Sequence, residues 1–274
     1  MLLLKIELNI GMRLIVIACM AALIMASCNS VEKSPDFVTY KTIPSETEVP
    51  GQANLQIDEK YAGALKGKHP GLDSLLAMQY KYLQEREKFD ITQYREIWDD
   101  FRKEVIHRDL SQEEIYAWID LTGFLFQLTA DAMVAEELDR IAWLYIYNNP
   151  DLQAESLILP YAITRHTDNV HINLFIPAEI NFTHSLGGKV KVNQEASFPE
   201  SNQIFVKLEI ETKQYLELFV RIPSWASNAQ VSVKGVKYLS TPGTYSKIAK
   251  KWENGDTIVI TIPTGNLPEY YNPG

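Results

Sequence analysis

Cysteine is almost missing from this chain of 274 residues: only Cys19 and Cys28 carry a thiol, and both lie near its start. From residue 29 onward there is none, so the body of the protein has no internal disulfide, no thiolate metal cage and no cysteine nucleophile. Basic charge is also in short supply, with 26 Lys and Arg against 35 Asp and Glu, a net charge of −9. The charges sit in many short patches, which excludes a basic groove for nucleic acid. No phosphate loop, no G-x-S-x-G elbow and no dinucleotide fingerprint occurs, and no cofactor is expected. Histidine is sparse too. His166, His171 and His184 fall on a loop, a strand and a turn without ligand spacing, so no metal site is expected from them. On the strand, His171 and Asn173 are expected to alternate outward, opposite Val170, Ile172 and Leu174.

What is present divides by position. The segment "MRLIVIACMAALIMASC" from Met12 has one Arg, an apolar run, then Ala26 and Ser27 before Cys28. That is the pattern of an export signal, and the run falls short of the roughly 20 residues a membrane-spanning helix needs. Small residues followed by Cys resemble the lipobox of bacterial lipoproteins, which implies cleavage before Cys28 and lipid attachment there. The expectation is a signal over 1–27, with Met12 as the true start, and a cell-envelope protein whose contact with the membrane is this anchor. Residues 28–58, rich in Ser, Thr, Pro and acids without a sustained period, read as a flexible tether.

With 46% hydrophobic and 22% charged residues the remainder is globular. Over 59–161 the apolar period is helical. One stripe comprises Leu72, Leu75, Leu76, Tyr80 and Leu83, and a second Tyr94, Ile97, Trp98, Phe101 and Val105. A third helix is expected to open at Ser111 with a capping box to Glu114 and to run through Ile115, Trp118, Ile119 and Phe126. A fourth presents Leu138, Ile141, Ala142 and Tyr145 before "NNPD" stops it. The pairs Asp99–Asp100 and Glu136–Glu137 read as solvated helix faces.

From residue 162 to 274 the period becomes two. "VHINLFIP", "GKVKVNQ", "QIFVKLEIET", "YLELFVRIP", "AQVSVKG" and "DTIVITIP" are short, rich in Val and Ile, and separated by turn residues. The fold class that follows is α+β: a helical segment, then an antiparallel β-sandwich. Within it, Asn254, Gly255 and Asp256 form a turn with Gly255 free to take positive φ. Pro223 ends a strand or keeps it at an edge. Trp225 and Trp252 are large enough to plug the sandwich end. Arg221 is placed to pair with a carboxylate or stack on a ring.

Three of these stretches recur in a known order. "VHINLFIPAEINF", "LFVRIPSWASNAQVSVKG" and "PGTYSKIAKKWENGDTIVITIP" resemble the β-sandwich region of glycoside hydrolase family 127, which contains β-L-arabinofuranosidases. Asn173 to Pro177 match its Asn-Leu-Tyr-Ile-Pro strand with Phe175 for Tyr, Val220 to Trp225 its Leu-Arg-Ile-Pro-x-Trp, and Trp252 to Asp256 its Trp-x-x-Gly-Asp turn. The helical half resembles the family more faintly, through Thr129, Asp131, Ala135, Arg140 and Asn148. That likeness implies a remnant of an (α/α)₆ barrel, which is ordinarily far larger than the helical stretch here. It also implies a carbohydrate partner, with Arg221 and Trp225 as candidate sugar contacts beside their structural reading.

The resemblance implies a zinc held by cysteines and a glutamate, one cysteine acting as nucleophile. The segment that would carry the Glu-x-Cys motif, "LSQEEIYAW", has no cysteine, and neither has "DLQAESLILPYAITRHTDN". Glu113 and Glu114 are left as catalytic candidates by position. Adjacent helical residues point about 100° apart and cannot flank one bond. Three functions stay open: a non-catalytic relative with a binding or scaffold role on glycans, an active glycoside hydrolase on arabinose-containing glycans, and a piece of a larger glycosidase.

Overall fold

The computed structural model describes residues 69–85, 88–106, 110–147 and 155–271. The expected signal, Cys28, the tether and Asn148 lie outside these residues. No described helix is long and apolar enough to cross a membrane.

Helix α1 (Pro70–Tyr80) starts with Pro at its first turn, where a missing N–H costs nothing. It buries Leu72, Leu75, Leu76 and Gln79. The expected stripe included Tyr80, but Tyr80 is 51% exposed. The i, i+3, i+4, i+7 face ends on Gln79, and the aromatic residue next to it is turned away from the core. Helix α2 (Ile91–Val105) is capped by Asp90, whose carboxylate accepts from the backbone N–H groups of Thr92 and Gln93 at 3.0 Å each. Helix α3 (Gln112–Thr129) opens with the capping box expected of Ser111 and Glu114 and ends where Ala130 turns left-handed. Asp131 then caps α4 (Ala132–Ile141), which continues as a π-helical turn, Ala142–Tyr147.

The helices pack through aromatic rings. Trp98 stacks on Trp118 with centroids 5.6 Å apart, and Phe101 meets Trp118 edge-on at 5.0 Å. Both indole N–H groups are satisfied, Trp98 by Thr122 Oγ1 and Trp118 by Glu137 Oε1. This last bond overturns the expectation that Glu137 is solvated. Glu137 is buried and also accepts two bonds from Arg140. The reason lies in where α4 sits: α3 covers one side and the sandwich the other, so a polar face read from periodicity has no water to meet.

A short helix, α5 (Glu155–Ile158), and a 3₁₀ turn (Leu159–Tyr161) lead into β1. The Tyr161 hydroxyl lies so close over α3 that a Cβ on Gly123 would come within 2.0 Å of it, so only glycine fits there. The strands are β1 (Ile163–His166), β2 (Asn169–Ile172), β3 (Ala178–Thr183), β4 (Lys189–Ala196), β5 (Gln203–Ile210), β6 (Gln214–Arg221), β7 (Gln230–Val233), β8 (Val236–Tyr238), β9 (Tyr245–Trp252) and β10 (Thr257–Thr261). They form a four-stranded sheet, β1-β2-β6-β9, and a six-stranded one, β3-β4-β5-β10-β7-β8. Every pairing is antiparallel except β2 with β6.

The stretch 170–177 does not form one strand as its composition suggests. β2 stops at Ile172 and the chain bends before β3 crosses to the other sheet. Asn173 is therefore fully buried rather than outward-facing. Its side chain donates to Tyr161 O at 2.9 Å and Thr164 Oγ1 at 3.0 Å, and accepts from the Tyr245 hydroxyl at 2.7 Å. Helices and sheets share one continuous hydrophobic core, from Leu72 and Trp98 to Ile260 and Tyr271. Each fully buried Leu or Ile in it contributes about 1.5–3 kcal/mol.

Candidate functional site

The site residues expected from sequence fall in two places. Arg221 ends β6 at the middle of the four-stranded sheet, and Pro223 follows the strand end, where its missing N–H breaks no ladder. The Arg221 side chain is fully buried. Its Nη2 donates to Asp139 Oδ2 at 2.6 Å, its Nε donates to the backbone oxygen of Asn173, and its guanidinium lies 5.2 Å over the Phe175 ring. The pairing and stacking open to it in the sequence are both realised. Both partners are inside the protein.

Asp139 comes from α4 and is as buried as Arg221. It also accepts from the Tyr271 hydroxyl at 2.5 Å. Burial pushes the Asp139 carboxyl up, against the opposing pull of Arg221 and Tyr271. Burial works against the charge on Arg221, but Asp139 outweighs it and holds the guanidinium protonated. One helical turn earlier, Glu136 accepts from Ser224 N at 2.8 Å and from the Ser224 hydroxyl, and lies 3.8 Å from Arg221 Nη1. Trp225 is half-buried, stacked on Phe198 at 6.3 Å and edge-on to Tyr271 at 5.6 Å. Helix α4, the corner after β6 and the C-terminal turn Glu269–Tyr271 thus close on one ion pair. Such a corner fixes the helical segment to the sandwich.

Glu113 and Glu114 begin α3, far in the sequence from that corner. Glu113 is exposed. Glu114 accepts from Ser111 N at 2.7 Å and lies 2.5 Å from His69 Nε2. Partial burial works against its charge, but the Ser111 N–H, the Ser111 hydroxyl and His69 together hold its carboxyl below the usual range. A carboxylate held ionised by its own cap is a poor proton donor.

The zinc site implied by the resemblance needs thiolates, and the segments that would supply them hold none. Among the described residues no group of three or more His, Cys, Asp or Glu is arranged to hold a metal ion. His184 has both ring nitrogens committed. Leu186 N–H points at Nδ1 from 3.0 Å, which places the proton on Nε2, 3.0 Å from Tyr215 O. Ser185 donates to Asp168 through its backbone and hydroxyl, not to His184, so these three residues lock a turn and form no relay.

A further titratable group, besides Asp139, was not legible from the sequence. Asp120, half-buried on α3, accepts from Gln79 Nε2 at 3.0 Å, and burial pushes its carboxyl up to about 6. The sequence signal was faint: an Asp two residues after Trp118 on a helix, paired with a Gln in an apolar stripe.

Residues 169–264 match the family model described as the β-L-arabinofuranosidase GH127 middle domain. Among solved structures, a glycoside hydrolase aligns over 56% of this chain and 32% of its own at 16% identity, TM-score 0.48. A GH127 β-L-arabinofuranosidase from Geobacillus stearothermophilus T6 aligns over 56% and 31% at 16% identity, TM-score 0.46. A GH127 β-arabinofuranosidase aligns over 56% and 32% at 19% identity, TM-score 0.48. The aligned part spans about a third of those chains. No curated protein matches the chain in sequence.

Proposed function

Because residues 169–264 match the GH127 middle domain, we propose that this chain is a non-hydrolytic relative of that family with a carbohydrate-binding or scaffold role at the bacterial cell envelope. The match is the observation that carries the reading, since it ties the sandwich to proteins named for action on an arabinofuranose. Two features of the chain support its non-hydrolytic side. The whole sequence holds no cysteine beyond Cys28, so a zinc thiolate nucleophile has no residue to form it. Arg221, at the centre of the most recognisable motif, is spent on Asp139 and Asn173 and has no exposed surface to offer a sugar.

In this reading Cys28 carries the lipid, residues 28–58 hold the folded part off the membrane, and the helical segment is a rigid attachment to the sandwich. Glycan arrays and calorimetry with arabinose-containing oligosaccharides test the binding role, with measurable affinity and no turnover as the expected result. Absence of affinity for every plant and bacterial glycan tried would end it. Palmitate labelling that disappears in Cys28→Ala tests the anchor separately.

A second reading, hydrolysis by this chain, is favoured by Asp120. Burial holds this carboxyl up to about 6, so it is half protonated at pH 6 and about a tenth protonated at pH 7, toward the range in which a general acid works. Turnover of aryl arabinofuranosides that vanishes in Asp120→Asn would establish this reading over the first.

A further inference from the structure

The outer face of the six-stranded sheet holds an open cleft of about 610 Å³ over the ends of β3, β4 and β5, within the usual range for small-ligand sites. Cross-strand register arranges its floor as two parallel rungs. One runs Asn181, Lys191, Glu209 and the next Thr183, Lys189, Glu211. Each rung has the same order: an uncharged polar group, an ammonium and a carboxylate. Rungs two residues apart along a strand are separated by about 7 Å, and neighbouring strands by about 4.8 Å. The patch is therefore the size of one or two sugar rings.

The rungs are only partly used up within the protein. Lys191 pairs with Glu179 at 2.9 Å, Asn181 donates to the same Glu179 at 3.0 Å, and Glu209 lies 3.9 Å from Lys207. Glu211, an exposed residue, accepts from the Lys189 backbone N–H at 2.9 Å. Asn254 holds the rim by accepting from Ile210 N through Oδ1, with its amide N–H groups left over. Among the described residues the Thr183 hydroxyl and the Lys189 ammonium have no protein partner.

We propose that this cleft binds a neutral glycan through its hydroxyl groups, a proposal that rests on the carbohydrate reading above and gives it a location. Two lysines against two glutamates repel neither sign strongly and reward neither a polyanion nor a cation. A sugar hydroxyl both donates and accepts, and each rung offers donors and acceptors within reach of adjacent hydroxyls. The one aromatic residue lining the cleft, Phe182, is 9% exposed with the Arg165 guanidinium 4.6 Å over its ring. It provides no stacking platform, so the affinity is weak.

The test is a ¹H–¹⁵N titration of the full chain with methyl β-L-arabinofuranoside and with a neutral arabino-oligosaccharide. The expected result is saturable shifts confined to 181–183, 189–191, 209–211 and 254, at least tenfold weaker binding in Glu209→Ala and Lys189→Ala, and an unchanged affinity in the distant Lys237→Ala. Binding that shifts other residues, or survives both cleft variants in folded protein, overturns the cleft and leaves the carbohydrate reading standing. Absence of binding to any of these sugars up to their solubility overturns both.

Discussion

Two polar clusters of the sandwich have similar residues and opposite fates. At the corner after β6, Arg221, Asp139, Glu136 and Tyr271 face inward and bond one another, with Arg221 and Asp139 out of contact with water. On the outer face, Lys189, Lys191, Glu209 and Glu211 stand in register and leave polar atoms to the solvent. The corner has the motif by which the sequence resembles the GH127 middle domain. The outer face has no motif at all. The difference teaches that the likeness to a family is read from residues whose chemistry is already consumed by the fold, whereas groups open to a ligand are those the fold leaves over.

The contrast can be broken most forcefully at the corner. Arg221→Met leaves the Asp139 carboxylate buried without its cation and is expected to destabilise by about 3–5 kcal/mol, read from urea or thermal unfolding. A smaller effect comes from His171, whose ring stacks on Phe219 at 4.6 Å and meets Tyr245 edge-on at 5.3 Å. Burial, then neighbouring His166, pushes it down to about 4. Between its unfolded value near 6.5 and that value the unfolded chain binds the extra proton. The stability His171 provides is therefore complete above about pH 6.5 and lost as pH falls toward 4, on the order of 2 kcal/mol. His171→Gln should flatten that part of a stability-against-pH curve.

Asp120 has the opposite sign. Its folded carboxyl, near 6, lies above the unfolded value, so its contribution is present below about pH 4 and lost as pH rises through 6. Asp120→Asn is expected to raise neutral-pH stability by about 1–2 kcal/mol and to leave stability at pH 4 nearly unchanged. Ser111→Ala, which removes one half of the α3 capping box, should cost about 1 kcal/mol in thermal unfolding. On the outer face Glu209→Ala and Lys189→Ala are expected to stay within about 0.5 kcal/mol of the parent. A large loss there would erase the contrast by showing that the open cluster, too, supports the fold.

The sandwich and the helix order were legible because their signals are local. Strands such as β5 alternate buried and exposed residues without exception, the Ser111 cap is a four-residue pattern, and the Asn254–Gly255–Asp256 turn needs only Gly255 at φ +84°. Asp256 in that turn shows the same economy: partial burial resists its charge, but Lys234 and Lys250 hold its carboxyl down to about 2.

What could not be read depends on long-range placement. Glu137 looks solvated until α4 is covered on both sides, and Asn173 looks outward until the chain bends after Ile172. The partner of Arg221 lies 82 residues away, and no spacing rule points to Asp139. The cleft is hidden for a related reason, since its two rungs exist only once β3, β4 and β5 are in register.

The claim that the β6 corner is a joint is tested most directly by a double-mutant cycle on stability. Arg221→Met, Asp139→Leu and the double variant, measured by denaturant unfolding, are predicted to show a coupling energy of about 2–3 kcal/mol, the double variant recovering much of what either single change loses. Coupling below about 0.5 kcal/mol, with the single losses simply adding, would contradict it and reopen Arg221 as a residue kept for a ligand.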